Sequence, residues 1–340
     1  MLSDMQNHAF WYDRRVLVTG ATGLLGSALV PALCERGASV IALVRDRVPQ
    51  SRLWSSGYKD SIGCVYGSLT DANLMLRTMA EHEIKTVFHL GAQTIVGVAK
   101  KDPVGTLEAN VRGTWLLLEA ARQAGVEQIL VASSDKAYGA SERLPYREDD
   151  PLQGRFPYDV SKSCTDLITT MYAMTYALPA AIVRCGNLFG GGDLNFSRLI
   201  PGVIQATLKN ERFIIRSDGK FVRDFLYVED AADAYICLAE AMHRDKTIYG
   251  EAFNYGLELR LTMLEVVDSI LMMMGRTDLQ PIIQNSASAE IREQYLDASK
   301  ARTRLSWSPR CGLEEGLRRT IAWYERALGT PEMAGKSDRP

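Results

Sequence analysis

Apolar residues along the first half of the chain come in two kinds of stretch. Short runs rich in Val, Ile and Leu, at 16–18, 39–44, 64–69, 86–90 and 129–133, read as strands. The longer stretches between them, 27–36, 71–83 and 103–125, read as helices, with Gly37 stopping the first. A further helix follows the last strand and runs to about residue 177. Strands alternating with helices predict a parallel sheet joined by right-handed crossovers. After Val183-Arg-Cys-Gly-Asn187 the rhythm changes. Gly190-Gly-Gly-Asp193 breaks the chain, and a helix spans 198–209. Segments 213–216 and 220–228 read as short strands around an Asp218-Gly219 turn. Helices are expected over 229–243, 262–274 and 313–328. Met272-Met-Met274 reads as core filler, and residues 329–340 as a disordered tail.

The first strand leads into Gly20-Ala-Thr-Gly23-Leu-Leu-Gly26 and then a helix. Glycines there let backbone amides approach a pyrophosphate at a helix N-terminus. The triplet alone is weak evidence against a ligand-free turn, but its place on the first strand favours a dinucleotide site. Gly91 and Ala92, after Leu90, stand where a strand end borders such a crevice. The second strand ends at Val44, where a carboxylate would hold an adenosine ribose. Arg45 follows, with Asp46 and Arg47. Two readings stay open: Arg45 meets a 2′-phosphate, or the three form a solvated charge run. The fold expected is α/β, a Rossmann-type doubly wound parallel sheet with a smaller α+β substrate-binding domain. The first comprises 14–185 and 224–255, the second 186–223 and 256–328.

Tyr158 and Lys162 stand four apart at the start of the helix that follows the fifth strand, on one face. An ammonium beside a phenol is expected to lower the phenol's pKa. A phenolate near neutral pH can take a proton from a sugar hydroxyl. On its own the pair is more often two ordinary surface residues.

A formal net charge of −2 over 340 residues gives no electrostatic case for nucleic acid or an anionic membrane. No apolar run reaches membrane-spanning length. Residues 1–13 carry acids and no apolar core, unlike a secretory signal. Six scattered cysteines without a Cys-x-x-Cys pair suit reduced thiols and a cytoplasmic location. Four separated histidines give no metal pattern.

These motifs, with His89-Leu-Gly-Ala92, Asn110-Val-Arg-Gly-Thr114, Arg223-Asp-Phe-Leu-Tyr-Val-Glu-Asp230, Phe253-Asn-Tyr-Gly256 and Asp297-Ala-Ser-Lys-Ala301, carry a resemblance. From about residue 10 to 324 the chain resembles the extended short-chain dehydrogenase/reductases that modify nucleotide sugars. Phe10-Trp11, Ser134-Asp135-Lys136, Pro157-Tyr-Asp-Val-Ser-Lys-Ser-Cys164 and Gly186-Asn-Leu-Phe-Gly-Gly-Gly-Asp193 are similar to the CDP-glucose 4,6-dehydratases within that family. Two stretches depart from that pattern. The glycine loop is closer to the epimerases, and Gly67-Ser68 replaces the usual Gly-Asp after the third strand.

The resemblance implies an NAD(P)-dependent lyase that converts a nucleotide-diphosphate hexose to its 4-keto-6-deoxy form. It implies that Tyr158 accepts the C4 hydroxyl proton, that Ser134 holds that hydroxyl and that Lys162 tunes the tyrosine. Asp135 is then the acid for the C6 hydroxyl and Lys136 the base at C5. Cofactor contacts fall to Gly20, Thr22, Gly23, Leu24, Leu25, Gly26, Arg45, Leu90, Gly91, Ala92, Asn110, Tyr158 and Lys162. Substrate contacts fall to Gln93, Asn187, Arg198, Arg223 and Arg292. A homodimer through the helices carrying Asn110 and Tyr158 is also implied. A 4-epimerase would use Ser134, Tyr158 and Lys162 alike, without the acid–base pair. A non-catalytic dinucleotide-binding regulator could dispense with Tyr158 and Lys162 altogether.

Overall fold

The computed structural model describes residues 9–286 and 290–329. The leader reading of 1–13 and the tail reading of 329–340 therefore fall largely outside the described residues. Seven strands form the main sheet: β1 (Arg15–Thr19), β2 (Ser39–Val44), β3 (Gly63–Tyr66), β4 (Thr86–His89), β5 (Gln128–Ala132), β6 (Ala180–Cys185) and β7 (Ala252–Tyr255). Their order is β7-β6-β5-β4-β1-β2-β3, and every pairing is parallel. The β strands of the centre are apolar because they are buried on both faces; all of β4 and all of β6 are buried. The strand order reverses between β1 and β4, which opens a crevice at their C-terminal ends.

Helices α1 (Leu24–Glu35), α2 (Ala72–Glu81), α3 (Gly113–Ala124) and α4 (Pro157–Tyr176) follow β1, β3, β4 and β5. Further on come α5 (Leu199–Leu208), α6 (Val228–Arg244), α7 (Met263–Met273) and α8 (Leu313–Leu328). Leu29 and Leu33 of α1 join Tyr235, Leu238 and Met242 of α6 in the core on one face of the sheet. Met75, Leu117, Leu118 and Tyr172 fill the core on the other. The Phe10-Trp11 pair has a structural cause: Trp11 is fully buried and its Nε1 donates to Glu240 of α6 at 2.7 Å. A third core gathers Phe189, Ile204, Phe225, Val267, Leu317 and Tyr324 around α5, α7 and α8. Among the described residues no helix is long and apolar enough to cross a membrane.

Two stretches differ from expectation. Residues 103–125 are not one regular α-helix, because Glu108–Arg112 forms a π-helical turn ahead of α3. The Asn110 carbonyl accepts from the hydroxyls of Thr114 at 2.5 Å and Thr165 at 3.1 Å, so side chains stand in for the regular ladder. The strands at 214–215 and 222–223 do not pair with each other. Ile214–Ile215 pairs with Ile282–Ile283, whereas Val222–Arg223 lies between Leu261–Thr262 and Glu293–Gln294. The turn between them is tied to the start of α7. Leu264 N donates to Gly219 O at 3.1 Å, and Gly219, at φ +78°, has no room for a Cβ beside the Leu264 side chain.

One buried chain of hydrogen bonds holds the crevice in shape. Thr19 Oγ1 accepts from the amides of Leu90 (3.1 Å) and Gly91 (3.0 Å), so its proton is free for His89 Nδ1 at 2.9 Å. Thr114 Oγ1 donates to Asn110 O and accepts from His89 Nε2 at 3.0 Å. The imidazole is therefore neutral, protonated on Nε2. Burial, helped by the Lys162 ammonium, pushes its pKa from 6.5 down to about 3. In the unfolded chain His89 binds a proton below its ordinary pKa, while the folded one does so only near pH 3. The contribution of His89 to stability is thus complete above about pH 6.5 and is lost as pH drops from there toward about 3. His89→Gln removes the titration. Between about pH 6 and pH 4, the wild type is expected to lose about 1 kcal/mol per pH unit more than the variant in urea unfolding. Equal slopes would contradict a neutral His89.

Candidate active site

The crevice is a cavity of about 1400 Å³. Gly20 closes β1 at φ +70°, a conformation that suits glycine, and a Cβ there would lie 2.8 Å from Gly91 N. A Cβ on Gly26 would lie 2.3 Å from Gly20 O. Gly23 caps α1 without a side chain, leaving the first-turn amides without intrahelical partners. These features form a cradle that fits a pyrophosphate at a helix N-terminus. Thr22, Leu24, Leu25, Leu90 and Ala92 line the cavity beside these glycines. Arg45 lines it too, with Nε 2.6 Å from Asp46 Oδ2 on the surface.

β5 delivers the reactive groups. Beyond Ala132 the chain enters a short 3-10 turn, Asp135–Tyr138, capped by Ser134, whose Oγ accepts from Lys136 N at 3.3 Å. Ser134 Oγ donates to Asp135 Oδ1 at 2.9 Å, and Asp135 Oδ2 is buried without a protein partner. Lys136 Nζ donates to the side-chain oxygen of Gln294. Pro157, well suited to a first helical turn, opens α4 and places Tyr158 and Lys162 on the same wall. Ser134, Asp135, Lys136, Tyr158 and Lys162 all line the cavity.

The electrostatics correct one expectation. Burial pushes the Tyr158 phenol up to about 12, against the pull of Arg198, with Asp135 pushing the same way as burial. The expected depression by Lys162 does not occur here. The Lys162 ammonium donates to Ala132 O at 2.6 Å, and its own burial lowers it to about 8, opposed by Asp166. The cation that favours the phenolate is Arg198. Lys136 is pushed down by burial first and by Arg223 second, with Asp135, Asp159 and Glu290 opposing. Asp159 was not singled out from the sequence. It is buried, lines the cavity and is pushed up to about 6 by burial, with Lys136 opposing. Its place next to Tyr158 was the available signal.

Of the expected substrate residues, Asn187, Arg198 and Arg223 line the cavity. Arg198 is held by Asp193 at 3.0 Å and by Thr94 at 3.3 Å. The Arg223 side chain is buried and donates to the carbonyls of Val222 (2.8 Å) and Arg292 (3.2 Å). The side chains of Asn110, Gln93 and Arg292 stand outside the lining. The Asn110 amide is spent on both backbone groups of Gln93 and on Ser161 Oγ at 2.9 Å, so it braces the wall rather than facing a ligand. The Gln93 side chain accepts from Ile95 N at 2.8 Å. The Arg292 guanidinium is exposed and lies 3.6 Å from Asp218.

Comparison with known proteins places this geometry. A sequence model of the NAD dependent epimerase/dehydratase family matches residues 16–256. The chain belongs to that family. The CDP-glucose 4,6-dehydratase of Salmonella typhimurium is 32% identical over 95% of this chain and 94% of its own length. The dTDP-glucose 4,6-dehydratase DesIV of Streptomyces venezuelae, solved with NAD bound, superposes with a TM-score of 0.84 at 27% identity, covering 93% of this chain and 98% of that one. The UDP-glucose 4-epimerase of Thermotoga maritima, solved with UDP-glucose, also gives 0.84 at 27% identity, covering 92% and 99%. The family is NAD-dependent, and the glycine cradle fits a dinucleotide of that kind, NAD or NADP.

Proposed function

We propose that the protein is a nucleotide-sugar 4,6-dehydratase acting on CDP-glucose or a similar nucleotide-diphosphate hexose. The observation that carries this reading is the Asp135–Lys136 pair on the cavity wall beside Tyr158. Removing and restoring a hydride at C4 needs only Tyr158, Ser134 and Lys162. A further acid and base suit a reaction that also breaks bonds at C5 and C6.

A dinucleotide held in the glycine cradle of Gly20, Gly23 and Gly26 would supply a nicotinamide able to accept a hydride from the sugar and give it back. The rest falls to the chain. Tyr158 Oη takes the proton of the C4 hydroxyl as C4 becomes a ketone, with Arg198 favouring the phenolate and Ser134 holding the hydroxyl. The ketone acidifies the hydrogen on C5. Lys136 Nζ takes that proton as a neutral amine, the state that burial and Arg223 favour. Asp135 protonates the departing C6 hydroxyl, water leaves across C5 and C6, and Lys136 gives its proton back to C5 as the hydride is restored at C6. Asn187 and Arg223 hold the diphosphate, an arginine fork suiting phosphate oxygens. In this reading 14–185 with 224–255 serve the dinucleotide, and 186–223 with 256–328 serve the sugar nucleotide. The chain works in the cytoplasm, where its six free cysteines stay reduced. It works as a homodimer. Leu167, Met171 and Met174 form one exposed apolar stripe on α4, and Trp115 of α3 is exposed as well.

Tyr158→Phe is expected to stop oxidation and product formation together. Asp135→Asn and Lys136→Met are expected to keep a transient rise in reduced-nicotinamide absorbance when given a nucleotide hexose. Their 4-keto-6-deoxy product should fall by about 10²-fold or more. Elimination in the wild type should also fade as pH drops through the lowered Lys136 pKa, because the base is then protonated. Product at the wild-type rate in both variants contradicts the assignment, and inversion at C4 without loss of water would replace it with a 4-epimerase. Leu167→Glu with Met171→Glu is expected to halve the mass seen by light scattering; an unchanged mass removes this face from the interface.

A further inference from the structure

The Lys136 amine is held from a distant part of the chain. Its acceptor, Gln294, is fully buried on the two-residue strand Glu293–Gln294 and lies 158 residues further on. That strand pairs in parallel with Val222–Arg223, so Gln294 stands directly opposite Arg223. Its backbone carbonyl accepts from Asp224 N at 3.0 Å, which fixes the register. Oε1 of the Gln294 carboxamide takes Lys136 Nζ, and its buried amide end lies on the side of the Tyr146 phenol, whose pKa it pulls down against burial.

The groups facing the amine explain why the acceptor is an amide. Asp135 on its own turn, Asp159 from α4 and Glu290 favour the ammonium, whereas burial and Arg223 favour the amine. The Tyr146 phenol stands beside Gln294. A glutamate at 294 would pair with Lys136 by charge as well as by hydrogen bond. It would also hold Lys136 as an ammonium. The carboxamide fixes the nitrogen in place without adding a negative charge beside it.

We propose that Gln294 is a positioning residue for Lys136: it anchors the amine through a neutral acceptor, opposite the arginine expected to hold the substrate's diphosphate, and so leaves the amine free to act as a base. The catalytic use of this anchor rests on the dehydratase reading; the anchor itself does not. The register ties the place of the base to the strand that carries Arg223, so the two move as one unit.

The test is the protonation of Lys136, read without turnover. A brief pulse of acetic anhydride is given across a pH series, and the acetylated fraction of the peptide carrying Lys136 is measured by mass spectrometry. In the wild type, the labelling midpoint of Lys136 is expected below that of exposed Lys209. In Gln294→Glu it is expected to rise by about one pH unit or more, the size of effect a carboxylate at close range produces. In Gln294→Met, which loses the acceptor, it is expected to fall, because a hydrogen bond to the charged form is gone. If a buried carboxylate prevents Gln294→Glu from folding, Gln294→Met carries the test alone. Wild-type midpoints in the folded variants overturn the proposal, as does a wild-type Lys136 that titrates with Lys209. Product formation is followed in the same samples, and its acid limb should move with the labelling midpoint. Midpoints that move while no sample, wild type included, forms 4-keto-6-deoxy product would leave the anchor standing and remove the dehydratase reading.

Discussion

Burial of charge at the end of β5 is the constraint on which the rest of the site depends. The sheet brings Ser134, Asp135 and Lys136 to the floor of the crevice, and α4 adds Tyr158, Asp159 and Lys162. Desolvation is the largest influence on Tyr158, Lys136, Asp159 and Lys162. It raises the acids and lowers the amines, so each group is moved toward its neutral form. Neutral acids and neutral amines are the forms that deliver and accept protons. The fixed charges of Arg198 and Arg223 then set the balance among them.

The same constraint explains the scaffold. A crevice that lowers the pKa of its amines by burial must keep its walls closed, and the Thr19–His89–Thr114 chain does this with a neutral imidazole between two hydroxyls. The Asn110 amide repeats the device on the neighbouring loop, tying Gln93 to Ser161. Both braces meet at the π-helical turn, whose freed Asn110 carbonyl is shared by two threonines.

Much of this was legible in the sequence because it is local. Strand, glycine turn and helix follow one another within residues 15–35, and the Tyr158/Lys162 pair lies within one helical turn. What was not legible depends on long-range contact. The partner of Lys136 comes from a two-residue strand too short to carry a pattern, and Gln294 has no motif of its own. The segments 213–216 and 220–228 read as neighbours, yet each found its partner some 40 to 70 residues away. The direction of the Tyr158 shift failed for a related reason. Spacing shows which charge is near in sequence, while burial, which outweighs it, is set by the whole fold. Arg292 carried the right chemistry for a phosphate, but it lies in the bend before the strand Glu293–Gln294, beside Asp218 and exposed to solvent.

Structures of a dehydratase and of an epimerase superpose equally well on this chain. The difference lies in where the hydride goes after it leaves C4. A CDP-glucose carrying deuterium at C4 answers this directly, with the product read by proton NMR and mass spectrometry. The expected result is deuterium on C6 of a 4-keto-6-deoxy sugar nucleotide, with C5 exchanged from solvent. Deuterium that stays on C4 of an inverted hexose, with the C6 hydroxyl intact, would contradict the dehydratase assignment.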